Sequence, residues 1–532
     1  MTTPNLYTKG LRGWLSYAFA SEVFVIVSLT LFLPICLEQF ARDNGRLTPA
    51  RTEPCVSASP VPIEAGGRCV VQIGWFWIDT ASFSLYVYSF SVAMQALTVI
   101  SMGGIADHPP HRKMLLLTFA FFGSIGAILF LALSSTSPFW ALSALFACVA
   151  NVGFGASVVA MNSYLPSLAK EAPEVVRLRQ EIEDSTREDL SENGTEQDAL
   201  LNHTPSKALL SQYDAELSRT TARISSLGIA IGYGSGICLL AVAIIPVTML
   251  RGSTFSLRLA IGLSGIWWAV FTLPAAVWLP GAASVPAESA ELEDERKWSF
   301  WREIGAAWKR LGGMIHPREI KRLRNTFKYL AAWFLLSDGF TTITSTAVLF
   351  AKTTLHMEPS KLILVGVLTP LSGIAGSLAW PMLQRKLGWS NLRVIITLVM
   401  MASAVPVYGC LGFLSIFRGS SFGGLTTPNE MFVLALYFGS IYGAFQSFAR
   451  AFYAELLPPG EEARWYGLFS ITDKSSSFIG PLIVGLISDT TGNIRFAFFF
   501  LVFMIWAAVP VLMSVDVEQG RKDAREYKYA TS

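Results

Sequence analysis

Long apolar runs separated by short polar segments dominate the pattern of this chain. A helix needs roughly 20 apolar residues to cross a bilayer, and by that measure the sequence predicts about twelve membrane-spanning helices. The runs are longer than the strands of a membrane β-barrel and lack their strict alternation. The predicted spans are 11–34, 82–105, 114–134, 140–165, 224–246, 257–279, 326–350, 362–383, 394–417, 431–455, 465–487 and 496–515. The pattern therefore predicts an all-α membrane protein.

The polar segments divide the predicted helices into two groups of six. Residues 1–281 would form an N-terminal half and residues 326–532 a C-terminal half with a short tail, joined by a linker at residues 282–325. Within the first half, the acid-rich segment 169–222 holds too few apolar residues to bury a core of its own. We expect this polar insert to be disordered.

The linker contains one amphipathic stretch, "KWSFWREIGAAWKRLGGMI". Trp301, Trp308 and three aliphatic residues form an apolar stripe at helical spacing, next to Arg302 and Lys309. This pattern predicts a helix that lies in the interface between membrane and cytoplasm. A short soluble helix is the alternative.

Composition agrees with a membrane protein and argues against one class of partner. Charged residues make up 15% of the chain and hydrophobic residues 52%, whereas soluble domains carry about 25% charged residues. The net charge of +3 is small and dispersed, so it gives no support for a nucleic-acid partner. Lys and Arg are enriched on the side that holds both termini, which predicts that the termini are cytoplasmic.

This orientation predicts the side of the membrane on which two cysteines and two glycosylation sequons lie. Cys55 and Cys69 share the first loop on the side opposite the termini, where an oxidising compartment would permit a disulfide. The sequence leaves open whether they pair. The sequons at Asn193 and Asn202 would face the cytoplasm, so we expect both to stay unmodified.

Two predicted spans carry an acidic residue near their middle. A charge at the bilayer centre costs about 3 kcal/mol or more, so such residues usually face a cavity or a partner. Placing "SYAFASEVF" on "AAWFLLSDGF" aligns Glu22 of the first span with Asp338 of the seventh, and also Ser21 with Ser337. This match predicts two parallel repeats with a substrate site between them.

Polar neighbours extend both acidic positions. Tyr17 and Ser21 lie beside the first carboxylate, and Thr341 and Thr342 lie one turn beyond the second. Each carboxylate can bind the ammonium group of a substrate, or take up and release a proton. The alternative is a carboxylate that only locks helices together through hydrogen bonds.

The eleventh span contains an acidic and a basic residue side by side, in "ITDKSSSFIGP". Asp473 and Lys474 point about 100° apart on a helix, so they are not expected to pair with each other. Lys474 can bind a substrate carboxylate or form an ion pair with an acidic residue across the cavity. A purely structural ion pair between helices is the alternative. The serines that follow, together with Pro481, predict that this helix bends easily.

Several weaker candidates complete the set. Arg450 lies near the cytoplasmic end of the tenth span, where it can snorkel to the interface or form a gate with Glu455. Gln446 and Asn162 are uncharged candidates for recognition of amide or carboxylate groups, although such residues are more often packing contacts. A repeat of small residues on the fifth span predicts close helix packing, at Gly228, Gly232 and Gly236.

The loop after the second span reads "GGIADHPPHRK". It resembles the signature of the major facilitator superfamily, in which an acidic residue is followed by a basic cluster. The match is partial, since "HPPH" replaces the usual residues between them. The resemblance implies that Asp107, Arg112 and Lys113 pin neighbouring helices and help to gate the conformational change.

Longer blocks resemble a particular family, the fungal autophagy-related protein 22 family of vacuolar amino-acid effluxers. The blocks are "GWLSYAFASEVFVIVSLTLFLPICLEQFAR" near the start and "AELLPPGEEARWYGLFSITDKSSSFIGPLIVGLISDTTGNIR" near the end, together with the polar insert after the fourth span. The resemblance implies a multi-pass protein of the vacuole membrane. It would release amino acids from autophagic breakdown to the cytosol, with protons as a further candidate ligand.

Two other classes of function are alternatives to transport. An intramembrane enzyme would need catalytic motifs, and the chain has no "HExxH" and no nucleotide-binding "GxxxxGK[ST]" sequence. We therefore expect neither enzyme activity nor a cofactor or resident metal. A membrane scaffold or receptor for the autophagy machinery, with the polar insert as docking site, is the remaining alternative.

Overall fold

The computed structural model describes residues 4–55, 68–106, 109–192, 207–281, 300–414, 416, 422–458 and 462–527. Within these ranges, eleven helical stretches are long and apolar enough to cross a membrane. A further passage is made of two shorter helices in succession. The prediction of an all-α membrane protein with about twelve spans is confirmed.

The first half of the chain begins with a helical passage in three segments. These are α1 (Pro4–Val23), a π-helical segment (Phe24–Phe32) and α2 (Leu33–Asp43). The elements that follow are β1 (Arg46–Leu47), β2 (Cys69–Ile73), β3 (Phe76–Asp79), α3 (Thr80–Ala106), α4 (Pro109–Ile128), α5 (Leu142–Asn162), α6 (Leu165–Lys170), α7 (Pro173–Glu192), α8 (Lys207–Met249) and α9 (Thr254–Trp278).

The second half starts with two helices that lie before its first membrane passage. Its elements are α10 (Phe300–Met314), α11 (Pro317–Arg322), α12 (Arg324–Thr353), α13 (Pro359–Leu387), α14 (Asn391–Leu411), α15 (Pro428–Glu455), α16 (Glu462–Ser476), α17 (Ile479–Thr491), α18 (Ala497–Met513) and α19 (Val517–Glu526). Helix α10 covers the amphipathic stretch of the linker, and its Trp308 donates a hydrogen bond to the Ser101 hydroxyl at 3.2 Å; its position in the membrane interface stays a prediction.

The two sides of the membrane protein are distinct. The strands pair in the order β1–β2–β3, all antiparallel, and cap the side that we call the hairpin face. The opposite side, where α1 begins and α19 lies, is called the terminal face. This sheet was not predicted, because its strands are only two to five residues long.

The eleventh passage is interrupted between α16 and α17. Pro481 has no N–H to donate to the carbonyl four residues earlier, and its ring crowds that carbonyl, which favours a break in the α-helix at this point. The hydroxyls of Ser476 and Ser477 instead donate to the Asp473 carbonyl, at 3.0 and 2.7 Å. The serines and the proline therefore produce the bend that the sequence predicts.

Part of the polar insert is helical, although the sequence predicts disorder. Residues 173–192 and 207–222 are helical, so the expectation of disorder does not hold there. These stretches are rich in good helix formers, and Arg179 pairs with Glu183 one turn away at 2.9 Å. Helix α7 also packs against α8, which supplies the tertiary contact that an isolated polar helix lacks.

Glycines allow the first and fifth passages to approach closely. A Cβ atom on Gly236 would lie 2.9 Å from the Cβ of Ile26, and one on Gly228 would lie 2.5 Å from the Trp14 ring. The glycine repeat therefore faces α1 and the π-helical segment, as its small-residue pattern predicts. Each half also has its own aromatic core, such as Phe24 stacked on Trp268 and Trp333 stacked on Phe469.

Candidate functional site

Glu22 lies near the middle of the first passage, two residues before the π-helical segment. Its side chain rests on Gly232 of α8, where a Cβ atom would lie 2.8 Å from the Glu22 Cβ. The residue is partly exposed, and among the described residues none donates a hydrogen bond to its carboxylate. An acidic group at this depth without a partner is a candidate to bind a cation or a proton.

Two basic side chains of the second half act on Glu22. The positive charges of Lys474 on α16 and Arg450 on α15 both favour its ionised carboxylate. Arg450 is exposed, and the Lys474 side chain retains 40% of its accessible surface. Lipid penalises a cation at membrane depth, so both side chains are candidates to line a water-accessible space.

Lys474 forms an ion pair with the residue that precedes it. Its Nζ lies 3.2 Å from Oδ2 of Asp473, which corrects the expectation that adjacent helical residues do not pair. The flexible lysine chain folds back near the end of α16, and the Ser337 hydroxyl donates to Oδ1 of the same carboxylate. Asp473 thus links α12 to Lys474.

Asp338, the repeat partner of Glu22, is in a different environment. It is 1% exposed, and its two carboxylate oxygens accept from the Gly480 N–H at 2.8 and 3.0 Å. The Thr342 hydroxyl also donates to Oδ1 at 3.3 Å. These contacts correspond to the alternative in which the carboxylate only locks helices together through hydrogen bonds. Thr341 is half-buried beside it.

Tyr17 and Ser21 do not line the space between the halves, contrary to expectation. Both are fully buried within the first half. The Ser21 hydroxyl donates to the Tyr17 carbonyl at 3.0 Å, and Trp268 donates to the Tyr17 hydroxyl at 3.4 Å. Tyr17 and Ser21 are four residues apart and therefore share a helix face, which packs inward. Glu22, the residue after Ser21, points about 100° away from that face.

The two uncharged candidates have different positions. Gln446 is half-buried one turn from Arg450, on the same face of α15. Asn162 is exposed at the end of α5, and the carbonyl of the preceding Met161 accepts from Trp14. Trp14 is eight residues from Glu22, or about 12 Å along the helix. The structure therefore does not bring Asn162 to the central acidic group.

The loop that resembles a transporter signature is described only in part. Asp107 lies outside the described residues. Arg112 donates to the Ser167 hydroxyl at 3.1 Å, and Lys113 donates to the Leu279 carbonyl at 3.0 Å. Both basic residues thus tie α4 to neighbouring segments of the first half at the terminal face.

Arg450 and Glu455 do not form the gate pair that their closeness in the sequence suggests. Glu455 instead binds Arg521 of α19, with 2.5 Å between the charged atoms, and accepts from the Asn391 amide. Residues five apart on a helix point about 140° away from each other, so the two side chains cannot share a face. Glu455 holds the C-terminal helix to the second half.

Cys55 and Cys69 form a disulfide in the structure, with Cα atoms 5.7 Å apart. It joins Cys55, within the segment between β1 and β2, to Cys69, the first residue of β2, at the hairpin face. The predicted sequons at Asn193 and Asn202 lie outside the described residues.

Glu38 and Lys352 were missed by the sequence reasoning. Glu38 is 0% exposed, and its Oε2 lies 2.5 Å from the Lys352 Nζ, which also donates to the Ile35 carbonyl at 2.8 Å. Arg42 binds the other Glu38 oxygen at 2.8 Å. The predicted first span ended at residue 34, which placed this acidic residue in a loop; continued helical spacing through "CLEQFAR" is the signal that could have found it.

A second contact joins the halves near the sheet. Asp489 of α17 accepts from the Asp79 N–H at 2.8 Å through its side chain, and from Arg68 at 3.0 Å through its carbonyl. Burial raises the pKa of the Asp79 carboxyl to about 6; the Ala81 N–H opposes this rise, and the charge of Asp489 adds to it. The hairpin face is therefore closed by contacts between the two halves.

Comparison with known proteins places the chain among transporters. A family profile described as "Vacuole effluxer Atg22 like" matches residues 8–525. Autophagy-related protein 22 of Cryptococcus neoformans is 42% identical, with 97% of this chain and 96% of the relative covered. Autophagy-related protein 22-1 of Emericella nidulans is 40% identical, with 97% and 91% covered.

Solved structures show the same fold at low identity. The inward open xylose transporter XylE from E. coli is similar with a TM-score of 0.56 and 11% identity, covering 96% of this chain and 95% of that one. The fold is that of the major facilitator transporters, with two six-helix halves. Family and fold are those of transporters rather than enzymes.

Proposed function

This chain belongs to the family of Atg22-like vacuole effluxers, and from that premise we propose that it exports amino acids from the vacuole to the cytosol. The amino acids would come from autophagic breakdown. The observation that carries the proposal is the Glu22 carboxylate at membrane depth, for which the described residues supply no hydrogen-bond donor. The positive charges of Arg450 and Lys474 of the other half favour its ionised form. An amino acid presents an ammonium and a carboxylate group, and this arrangement offers a counter-charge for each.

The roles of the three charged residues follow from their signs. Glu22 binds the substrate ammonium group, and Arg450 with the exposed side of Lys474 binds the carboxylate. Because the site spans both halves, substrate binding neutralises charges that otherwise face each other across water. An empty site can also neutralise Glu22 by proton uptake, which would couple transport to protons.

Transport proceeds by alternating access of the two halves. The buried pair Glu38–Lys352 and the Asp489 contacts support a state that is closed at the hairpin face. The exposed Arg450, five residues before the end of α15, supports an opening towards the terminal face. Exchange to the opposite state requires these hairpin-face contacts to separate.

The orientation in the vacuole membrane places the terminal face in the cytosol. The excess of Lys and Arg on that side supports this orientation. The disulfide at the hairpin face supports it as well, since a disulfide persists in an oxidising lumen rather than in the cytosol.

Efflux from vesicles tests the proposal. Vacuolar vesicles containing wild type are loaded with labelled amino acids, and release is compared with Glu22→Gln and with Glu183→Gln, a matched control on the exposed ion pair of α7. We expect wild type and the control to release substrate, and Glu22→Gln to do so at least tenfold more slowly. Wild-type release no faster than from vesicles without the protein would contradict the carrier function. Unchanged release by a correctly inserted Glu22→Gln would contradict the central site.

A further inference from the structure

Two consecutive residues of α12 contact both sides of the break in the eleventh passage. The Ser337 hydroxyl donates to Asp473 on α16, before the break. The Asp338 carboxylate accepts from the Gly480 N–H on α17, after the break, at 2.8 and 3.0 Å. The end of one helix segment and the start of the next are thus held by one short stretch.

The break explains why Asp338 finds a backbone donor. The first N–H groups of a helix have no partner within the helix, and a carboxylate near them is stabilised by the positive end of the helix dipole. Because α17 begins at Ile479, just before Pro481, the Gly480 N–H lies in this position. With Thr342 donating as well, both Asp338 oxygens are engaged and shielded from water.

The repeat partner of Asp338 shows what happens without a break. Glu22 faces Gly232 on α8, the fifth passage of its half, as Asp338 faces Gly480 in the fifth passage of the other half. Helix α8 runs continuously past Gly232, so that N–H is used inside the helix. Equivalent positions of the two repeats therefore hold an unpartnered carboxylate and a fully bonded one.

We propose that Ser337 and Asp338 are positioning residues, which clamp the broken helix so that Lys474 meets the substrate carboxylate. Asp338 is neither a substrate ligand nor a proton carrier. The path runs from Ser337 to Asp473, and from Asp473 to Lys474, whose Nζ lies 3.2 Å from Oδ2. This inference rests on the proposed binding role of Lys474.

Neutral and truncated variants separate a positioning role from a binding role. Asp338→Asn keeps an oxygen acceptor for the Gly480 N–H but cannot carry charge, whereas Asp338→Ala removes the acceptor. Ser337→Ala removes the second contact, and its matched control is Ser377→Ala, whose hydroxyl donates to the Ile374 carbonyl of its own helix. The initial rate of efflux is measured against substrate concentration and pH for each.

The clamp predicts a specific division of effects. Asp338→Asn should keep KM within about threefold of wild type and leave the pH profile unchanged. Asp338→Ala and Ser337→Ala should raise KM at least tenfold with a smaller change in maximal rate, and Ser377→Ala should match wild type. If Asp338→Asn abolishes transport or shifts its pH profile as Glu22→Gln does, Asp338 handles charge directly and the clamp is wrong.

A readout that does not depend on transport completes the test. Hydrogen exchange of the Gly480 amide is followed on peptides that cover the break, in wild type, Asp338→Asn and Asp338→Ala. The amide should exchange slowly in the first two and at least tenfold faster in the third. Equal exchange in all three contradicts the clamp even if transport is confirmed. A difference in exchange supports it even if wild type transports no amino acid and only the proposed function fails.

Discussion

Glu38 on α2 and Lys352 on α12 form a buried ion pair, 2.5 Å between Oε2 and Nζ, that joins the two halves at the hairpin face. Arg42 shares the carboxylate from the solvent side. Removing one partner of a buried pair leaves an uncompensated charge, which is costly, whereas removing both is often close to neutral. This pair is therefore suited to hold one conformation of the transporter.

Neutralising Lys352 alone should destabilise the protein. We expect Lys352→Gln to lower the free energy of unfolding by about 3 kcal/mol, and the double variant Glu38→Gln/Lys352→Gln to recover a large part of it. The measurement is chemical unfolding in detergent. Arg179→Gln, which breaks the exposed pair on α7, serves as control and should change stability by at most about 1 kcal/mol. Equal losses in the two single variants would show that the Glu38 pair does not hold the halves.

A methyl group on Gly232 should push α1 away from α8. Its Cβ would lie 2.8 Å from the Glu22 Cβ, closer than packed atoms approach, and overpacking costs about 1–3 kcal/mol. Gly232→Ala should therefore lower both the thermal midpoint and the efflux rate. Gly234→Ala on the same helix has open space at this position and should be neutral or stabilising. If both alanine variants behave alike, the contact between Gly232 and Glu22 is unimportant.

Loss of the Cys55–Cys69 disulfide should loosen the hairpin face. The bridge closes a loop with a sequence separation of 14, and loops of this size are stabilised by about 3 kcal/mol. Cys69→Ser should speed limited proteolysis between β1 and β2, while Cys238→Ser, at an exposed free cysteine of α8, should not. Identical proteolysis of the two variants would argue against a stabilising role for the bridge.

Stability should depend on pH through Asp79. Its pKa is raised to about 6 because it is buried, with Glu38 and Asp489 adding negative charge nearby and Arg68 opposing them. A carboxyl whose pKa is raised on folding stabilises the protein at low pH, and this contribution falls as pH rises from about 4 to about 6. The thermal midpoint should therefore be higher at pH 5 than at pH 7. Asp79→Asn should reduce this difference in thermal midpoint between the two pH values. If the difference stays the same in Asp79→Asn, another group causes the pH dependence.

The break in the eleventh passage shows how far local sequence reasoning reaches. Three serines and Pro481 predict a bend, because proline removes a hydrogen bond wherever it falls in a helix. The partner of the Gly480 N–H, which lies in the first turn of α17 and has no acceptor within that helix, was not predictable in the same way. Asp338 is 142 residues away from Gly480, and the sequence aligned it with Glu22 as though the two had one role.

The polar and charged residues of the membrane helices also show that local sequence does not reveal which partners a side chain contacts. Tyr17 and Ser21 lie next to Glu22 in the sequence, but their face of α1 is buried within the first half. Glu455 lies close to Arg450 in the chain and yet binds Arg521, 66 residues away. In each case the composition of a span reveals an unusual polar residue, and the packing of other helices decides what it meets.

The sequence by itself determined the number of membrane passages, the division into two repeats and the depth of Glu22 and Asp338. These properties depend on the length and spacing of apolar runs, which the bilayer thickness constrains directly. Only the tertiary structure decided which carboxylate is free and which residues join the halves. Those outcomes depend on which helix faces are apposed, and contacts between segments hundreds of residues apart leave no local pattern.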